Sequence, residues 1–174
     1  MADENTNAQA GQTGQENAGP QVGLQKIYVK DASFEAPNAP SIFQQNGQTD
    51  VNLNLNQRVN QLGDNAYEVV LTVTVTAKLG ETTAYLVEIQ QAGIFAVNGF
   101  EEQQLHALIG SYCPQVLFPY ARQAVSDLVG QGGFPPLMLQ HVDFNAVYAQ
   151  QMQKRAEEQG AADAGDQTAS QASH

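Results

Sequence analysis

Hydrophobic and polar positions alternate most cleanly between Tyr67 and Lys78. Tyr67, Val69, Leu71, Val73 and Val75 share one parity, and Glu68, Val70, Thr72, Thr74 and Thr76 share the other. That is the period-two pattern of a strand with one face on a core, and its β-branched content supports the assignment. Leu79-Gly80-Glu81 supplies a short turn and residues 82–91 return as a second strand, so the pair is predicted to form a hairpin. Within the returning strand, Leu86 and Glu88 share one face while Tyr85, Val87 and Ile89 share the other. Upstream, Val51, Leu53 and Leu55 alternate with Asn52, Asn54 and Asn56, which predicts a half-buried strand. A first strand over residues 24–30 is less regular. Ile27 and Val29 share parity with Asp31 and Glu35, so a break or bulge is expected near Lys30 and Asp31. Pro37 and Pro40 cannot donate to a ladder and close the segment.

After Phe95 the apolar spacing becomes helical. Leu105, Leu108 and Ile109 mark one helix over residues 101–109. Val116, Leu117, Tyr120, Ala124 and Leu128 mark another over 114–129. Gly110 and Pro114 are expected to separate or kink them, Pro119 to kink the second, and Gly130-Gln-Gly-Gly to end it. A proline-rich loop, Phe134-Pro-Pro-Leu-Met-Leu, leads to Asp143, a good N-cap for a last helix running to about Glu158. Strands followed by helices predict an α+β domain with helices on one sheet face.

Composition divides the chain into a core and two tails. Residues 1–23 hold Asn, Gln, Gly, Ala and Thr with scattered acids, and residues 157–174 hold mainly Ala, Gly, Asp, Gln and Ser. Neither offers enough apolar surface to offset the entropy of ordering, so both are expected to be disordered tails around a single domain over 24–156. A net charge of -11 with seven Lys and Arg argues against nucleic acid and against anionic membrane surfaces, and favours a basic partner. One cysteine, Cys113, cannot form an internal disulfide. No basic-then-apolar leader opens the chain and no apolar run approaches the ~18 residues of a membrane span, so a cytoplasmic location is expected.

No catalytic constellation is visible. Lys78-Leu-Gly-Glu lacks the spacing of a phosphate loop. His106, His141 and His174 are too scattered for a metal site. His106 and Cys113 stand seven apart and could meet on one helix face as a nucleophile pair; a buried thiol beside an ordinary helix histidine is the simpler reading. Asp31, Glu35 and Glu88 are isolated carboxylates among apolar residues with no nucleophile or base beside them, which suits a docking surface better than acid–base catalysis. Phe43, Tyr85, Phe118, Phe134 and Phe144 fit either core packing or a hydrophobic groove under the 131–142 loop. No cofactor or metal is expected.

At several long segments the sequence resembles the SecB protein-export chaperone family. They are Ile27-Tyr-Val-Lys-Asp-Ala-Ser-Phe-Glu-Ala-Pro-Asn-Ala-Pro40, Tyr67-Glu-Val-Val-Leu-Thr-Val-Thr-Val-Thr-Ala77, Leu86-Val-Glu-Ile-Gln-Gln-Ala-Gly-Ile-Phe95 and Tyr112-Cys-Pro-Gln-Val-Leu-Phe-Pro-Tyr-Ala-Arg122, with Gly133-Phe-Pro-Pro-Leu after them. Together they run from about residue 24 to 153. The resemblance implies a four-stranded antiparallel sheet with helices on one face, assembled as a homotetramer, a dimer of dimers. It implies an ATP-independent cytosolic chaperone, not an enzyme, that binds unfolded precursor polypeptides and delivers them to the SecA translocase motor. An alternative on the same fold is a general or toxin–antitoxin-controlling chaperone.

Carried over by position, the resemblance marks Asp31, Glu35, Leu86 and Glu88 as the face that docks the motor's basic, zinc-bearing C-terminal tail. It marks Val87, Ile89 and Gln91 as positions that affect subunit assembly, and Phe43, Tyr85, Phe134, Leu137 and Phe144 as lining the substrate groove. Val87 stands where the family often has Cys, and the N-terminal tail is unusually long.

Overall fold

The computed structural model describes residues 19–170, with side chains as far as Glu157. Four strands form one antiparallel sheet: β1 (Gln21–Glu35), β2 (Thr49–Gly63), β3 (Ala66–Leu79) and β4 (Thr82–Asn98). Their spatial order is β1-β4-β3-β2. Successive hairpins join β2, β3 and β4, and β1 lies beside β4 in a Greek-key arrangement. After the sheet come α1 (Glu102–Ala107), a π-helical segment (Leu108–Tyr112), α2 (Cys113–Gln131) and α3 (Phe144–Ser170).

One face of β3 and β4 is almost wholly apolar. Val69, Leu71, Val73 and Val75 on β3, with Tyr85, Val87, Ile89 and Phe95 on β4, pack under Leu117, Phe118, Ala121, Val125 and Val129 of α2, and all are buried. The i, i+4 spacing of Leu117, Ala121, Val125 and Val129 lays one stripe of α2 along the sheet. Each large side chain withdrawn from water here contributes about 1.5–3 kcal/mol. The opposite face carries Glu68, Thr72, Thr74, Thr76, Leu86, Glu88 and Gln90, and among the described residues no helix packs on it.

The structure differs from the pattern-based expectations at several elements. β1 begins at Gln21, inside the segment assigned to the tail, and continues past Lys30 to Glu35; residues 1–18 of that tail lie outside the described residues. Its register shifts twice, between Leu24 and Lys26 and between Val29 and Asp31. The second bulge is the expected irregularity, and it bends the strand without ending it. β2 reaches from Thr49 to Gly63, but Val51 and Leu53 remain 44% and 36% exposed because the helix layer stops short of that edge. α1 and α2 run on into one another through the π-helical segment. The wider turn of the π segment passes Gly110 and absorbs Pro114, which lacks an N–H for the ladder, and Ser111 turns its hydroxyl back onto the Ala107 carbonyl at 2.8 Å. Asp143 caps α3, its Oδ1 accepting from the backbone N–H groups of Asn145 and Ala146 at 3.0 and 3.2 Å. That helix extends past Glu158, through most of the segment expected to be a disordered tail; alanine, glutamate and glutamine there are good helix formers.

Candidate functional site

The β1 bulge decides which side chains reach the open face. Tyr28 stands opposite Ala92 on that face; Lys30 is the extra residue, and Asp31 then stands opposite Gln90, Ser33 opposite Glu88 and Glu35 opposite Leu86. Were Lys30 instead paired in the ladder as in a regular strand, Asp31 and Glu35 would share a face with Ile27 and point toward the helices. With the bulge, Asp31, Glu35, Leu86 and Glu88 lie on one face of two adjacent strands, Glu35 directly opposite Leu86 and Glu88 opposite Ser33, midway between the two β1 carboxylates. Asp31 and Glu35 are exposed, while Leu86 and Glu88 are half-buried. Thr74 donates to Glu88 Oε2 at 2.9 Å and fixes that carboxylate on the sheet.

Beside this patch sits a polar cluster that sequence reasoning did not single out. Glu68 of β3 accepts from Lys30 Nζ at 2.7 and 2.9 Å, from Asn60 Nδ2 at 2.7 Å and from the Tyr28 hydroxyl. It therefore ties β1 to β3 and β2 across the small Ala92 of β4. Lys30, Tyr28 and Asn60, in that order of strength, hold its carboxyl down to about 2, against a smaller opposing effect of burial. The same bond, with burial, pushes the Tyr28 hydroxyl up. Glu68 sits on the solvent parity of an amphipathic strand, and nothing in the alternation marks it as different from Thr72 or Thr74.

On the helix side, four aromatic rings meet at the end of the core. Phe134, carried in by the loop after α2, lies 4.9 Å from Tyr85, 5.0 Å from Phe43 and 6.3 Å from Phe34 between ring centroids. Phe34 and Tyr85 are stacked at 5.9 Å with planes 24° apart. Phe43 is half exposed and Tyr85 is buried, which pushes the tyrosine hydroxyl up. Phe34 is absent from the sequence-predicted groove set; only the bulge puts it on this side. The far end of its ring lies against Gly132, where a β-carbon would come within 2.1 Å of it.

Two of the carried-over sets fall in less expected places. Leu137 is half-buried against the core, and Phe144 is buried against Phe118, 5.6 Å away, as a pair separate from this cluster. Val87 and Ile89 lie inside the subunit core. Gln91 is also buried and donates to the Tyr28 carbonyl at 2.9 Å, satisfying a backbone acceptor at the start of the bulge. His106 meets the Tyr148 hydroxyl at 3.2 Å. Cys113 is fully buried and its thiol is pushed up to about 12, which opposes the thiolate a nucleophile needs. Among the described residues, no group of three or more His, Cys, Asp or Glu side chains could hold a metal ion, and no helix is long and apolar enough to cross a membrane.

A sheet that keeps its helices to one side, gathers aromatic rings there and turns carboxylates outward on the other is an architecture for binding polypeptides, that of a chaperone. The family model for "Preprotein translocase subunit SecB" matches residues 15–155. The chain is 54% identical over 157 residues to the protein-export protein SecB of Nitrosococcus oceani, covering 89% of this chain and 94% of the relative. It is 55% identical over 139 residues to that of Marinobacter nauticus, covering 80% and 84%. In structure it is similar to a Mycobacterium tuberculosis SecB-like chaperone solved with a ChAD peptide from an antitoxin. That match has a TM-score of 0.58 and 21% identity over 70% of this chain and 90% of the other. The chain belongs to the SecB family, the chaperones of protein export.

Proposed function

We propose that this protein is an ATP-independent cytosolic chaperone that binds unfolded precursor polypeptides, keeps them competent for translocation and hands them to the SecA motor. The observation that carries this reading is the separation of two unlike surfaces by one sheet. Aromatic rings cluster on the helix side, and Asp31, Glu35, Leu86 and Glu88 collect on the open side. Apolar burial is non-directional, so a groove around Phe43, Tyr85, Phe134 and Leu137 suits many unfolded sequences. Phe144 acts from beneath, holding the helix layer through Phe118. The acidic patch suits a basic tail such as the zinc-bearing C-terminus of the motor, and its attraction weakens with salt.

The assembly in this reading is a homotetramer, a dimer of dimers. Val87, Ile89 and Gln91 would influence it indirectly, since their side chains set the packing of α2 and the bulge of β1. The test is to reverse the charge at Glu88. Glu88→Lys should weaken docking of purified SecA at low salt by about tenfold or more, some 1.4 kcal/mol. Uptake of a reduced, unfolded precursor should be unchanged. Equal loss of both activities in a folded variant would show that the two surfaces are not separate sites. Stabilisation of one small antitoxin with no uptake of unfolded precursors would shift the reading to a toxin–antitoxin chaperone.

A further inference from the structure

The Lys30–Glu68 pair is the one ion pair among the described side chains, and it lies beside the acidic patch. Lys30 immediately precedes Asp31 and is the residue inserted at the bulge. A lysine there could fold onto Asp31, or reach Glu88 two strand positions beyond Gln90, and so neutralise the surface it borders. It does neither. Glu68 stands opposite Ile94, which in turn stands opposite Lys26, so the Lys30 ammonium is drawn back toward the start of β1, away from Glu35. Lys26 and Arg58 occupy the same end of the open face, at the positions of Ile94 and Val70. The face is thus polarised, with cations gathered around Glu68 and carboxylates toward Leu86. Tyr28 of β1 and Asn60 of β2 also donate to Glu68, one to each carboxylate oxygen.

We propose that Glu68 is a positioning residue for the acidic face: it sequesters the Lys30 ammonium and thereby leaves Asp31, Glu35 and Glu88 free to take a basic partner. This rests on the reading of that face as the docking surface for SecA. The distances involved, one to two residues along a strand, lie inside the ~8 Å screening length at physiological salt, so the freed charge would be felt. Removing the acceptor therefore subtracts from docking by adding a cation to the patch, without touching the patch itself.

The experiment titrates purified SecA into the full-length protein at low and high salt, using Glu68→Gln, Lys30→Gln, the double variant and Glu88→Lys. Glu68→Gln should weaken docking roughly fivefold at low salt, and the loss should shrink at high salt. Adding Lys30→Gln to it should restore docking to near that of the unaltered protein, and Lys30→Gln alone should dock no more weakly. Uptake of an unfolded precursor should be equal in all. The proposal is overturned if Glu68→Gln docks normally while Glu88→Lys does not. It is equally overturned if the double variant stays as weak as Glu68→Gln, the result expected of mere structural damage. Should Glu68→Gln fail to fold, weaker docking of Lys30→Gln overturns it by itself. Normal docking by Glu88→Lys instead removes the reading of the face on which the proposal stands.

Discussion

At Glu68 three donors converge on one carboxylate, and the consequences are measurable without any partner. Its pKa in the folded protein, about 2, lies below the ordinary 4.5. A carboxylate depressed in this way contributes stability above pH 4.5 and loses it as pH falls through 4.5 toward 2. Tyr28 is shifted upward, so its contribution is complete below its usual pKa of 10 and is lost only as pH rises past that. Glu68→Gln should cost about 2 kcal/mol at pH 7, and the gap to the unaltered protein should close between pH 4.5 and pH 2. Urea melts across that window decide it: a gap that stays constant to pH 2 would mean the carboxylate charge is not what holds the cluster. Cys113 makes a second prediction at this scale. With its thiol pushed up to about 12, iodoacetamide at pH 8 should modify the native protein on the order of a thousandfold more slowly than the unfolded chain. Rapid labelling of the native form would show that the α2 core opens readily.

The bulge in β1 shows how one extra residue reconciles the parities of Ile27 and Asp31. Deleting Lys30 should restore strict alternation by removing the unpaired residue, with Asp31 and Glu35 still on the open face and Phe34 still in the aromatic cluster. What the deletion takes away is the ammonium donor of Glu68, worth about 1.5–3 kcal/mol for a hydrogen bond to a charged group. The deletion and Lys30→Gln should therefore lower the melting temperature by similar amounts, and both should still dock to the motor. A deletion variant that melts far lower and no longer docks would mean that the strand beyond Val29 slips its register instead of closing the bulge. Much of this element was legible beforehand. The parity conflict between Ile27 and Asp31 announced a bulge, and the alternation of β3 and β4 announced a hairpin with one acidic, partly apolar face. What alternation could not show is that the bulge also delivers Phe34 to Tyr85. Nor could local spacing show that Glu68 collects donors from strands eight and thirty-eight residues away. The continuity of α1 and α2 was hidden for a related reason. Gly110 and Pro114 read as breakers in a regular helix, but a π turn tolerates both, and the bare Gly110 backbone gives Tyr148 of α3 its seat: a β-carbon there would lie 2.4 Å from that ring.

At the scale of the whole molecule, the outer strands β1 and β2 each run fifteen residues and are paired on one side only within the subunit. Leu24 and Val29 on β1, Val51, Leu53 and Val59 on β2, and Tyr112 and Tyr120 along the helices are exposed. Long open edges with apolar residues invite association, and a chain with the proposed aromatic groove would gain from closing those edges against copies of itself. Light scattering after size exclusion should accordingly give about four times the 18.7 kDa chain mass, and the melting temperature should rise with protein concentration, as mass action requires of a folded oligomer. Assembly also bears on function. In the proposed reading, a single groove around Phe43 and Phe134 would offer little area, so one contact with an unfolded chain would be weak and short-lived. Several grooves held in one particle convert later contacts into intramolecular ones, and avidity then exceeds single-site affinity by about a hundredfold or more. Long unfolded precursors should therefore bind far more tightly than short peptides cut from them, and Phe43→Ala should weaken the long chain by more than it weakens a peptide that fills one groove. Equal losses for both would mean that each client uses a single groove, and the proposed assembly would not act through avidity.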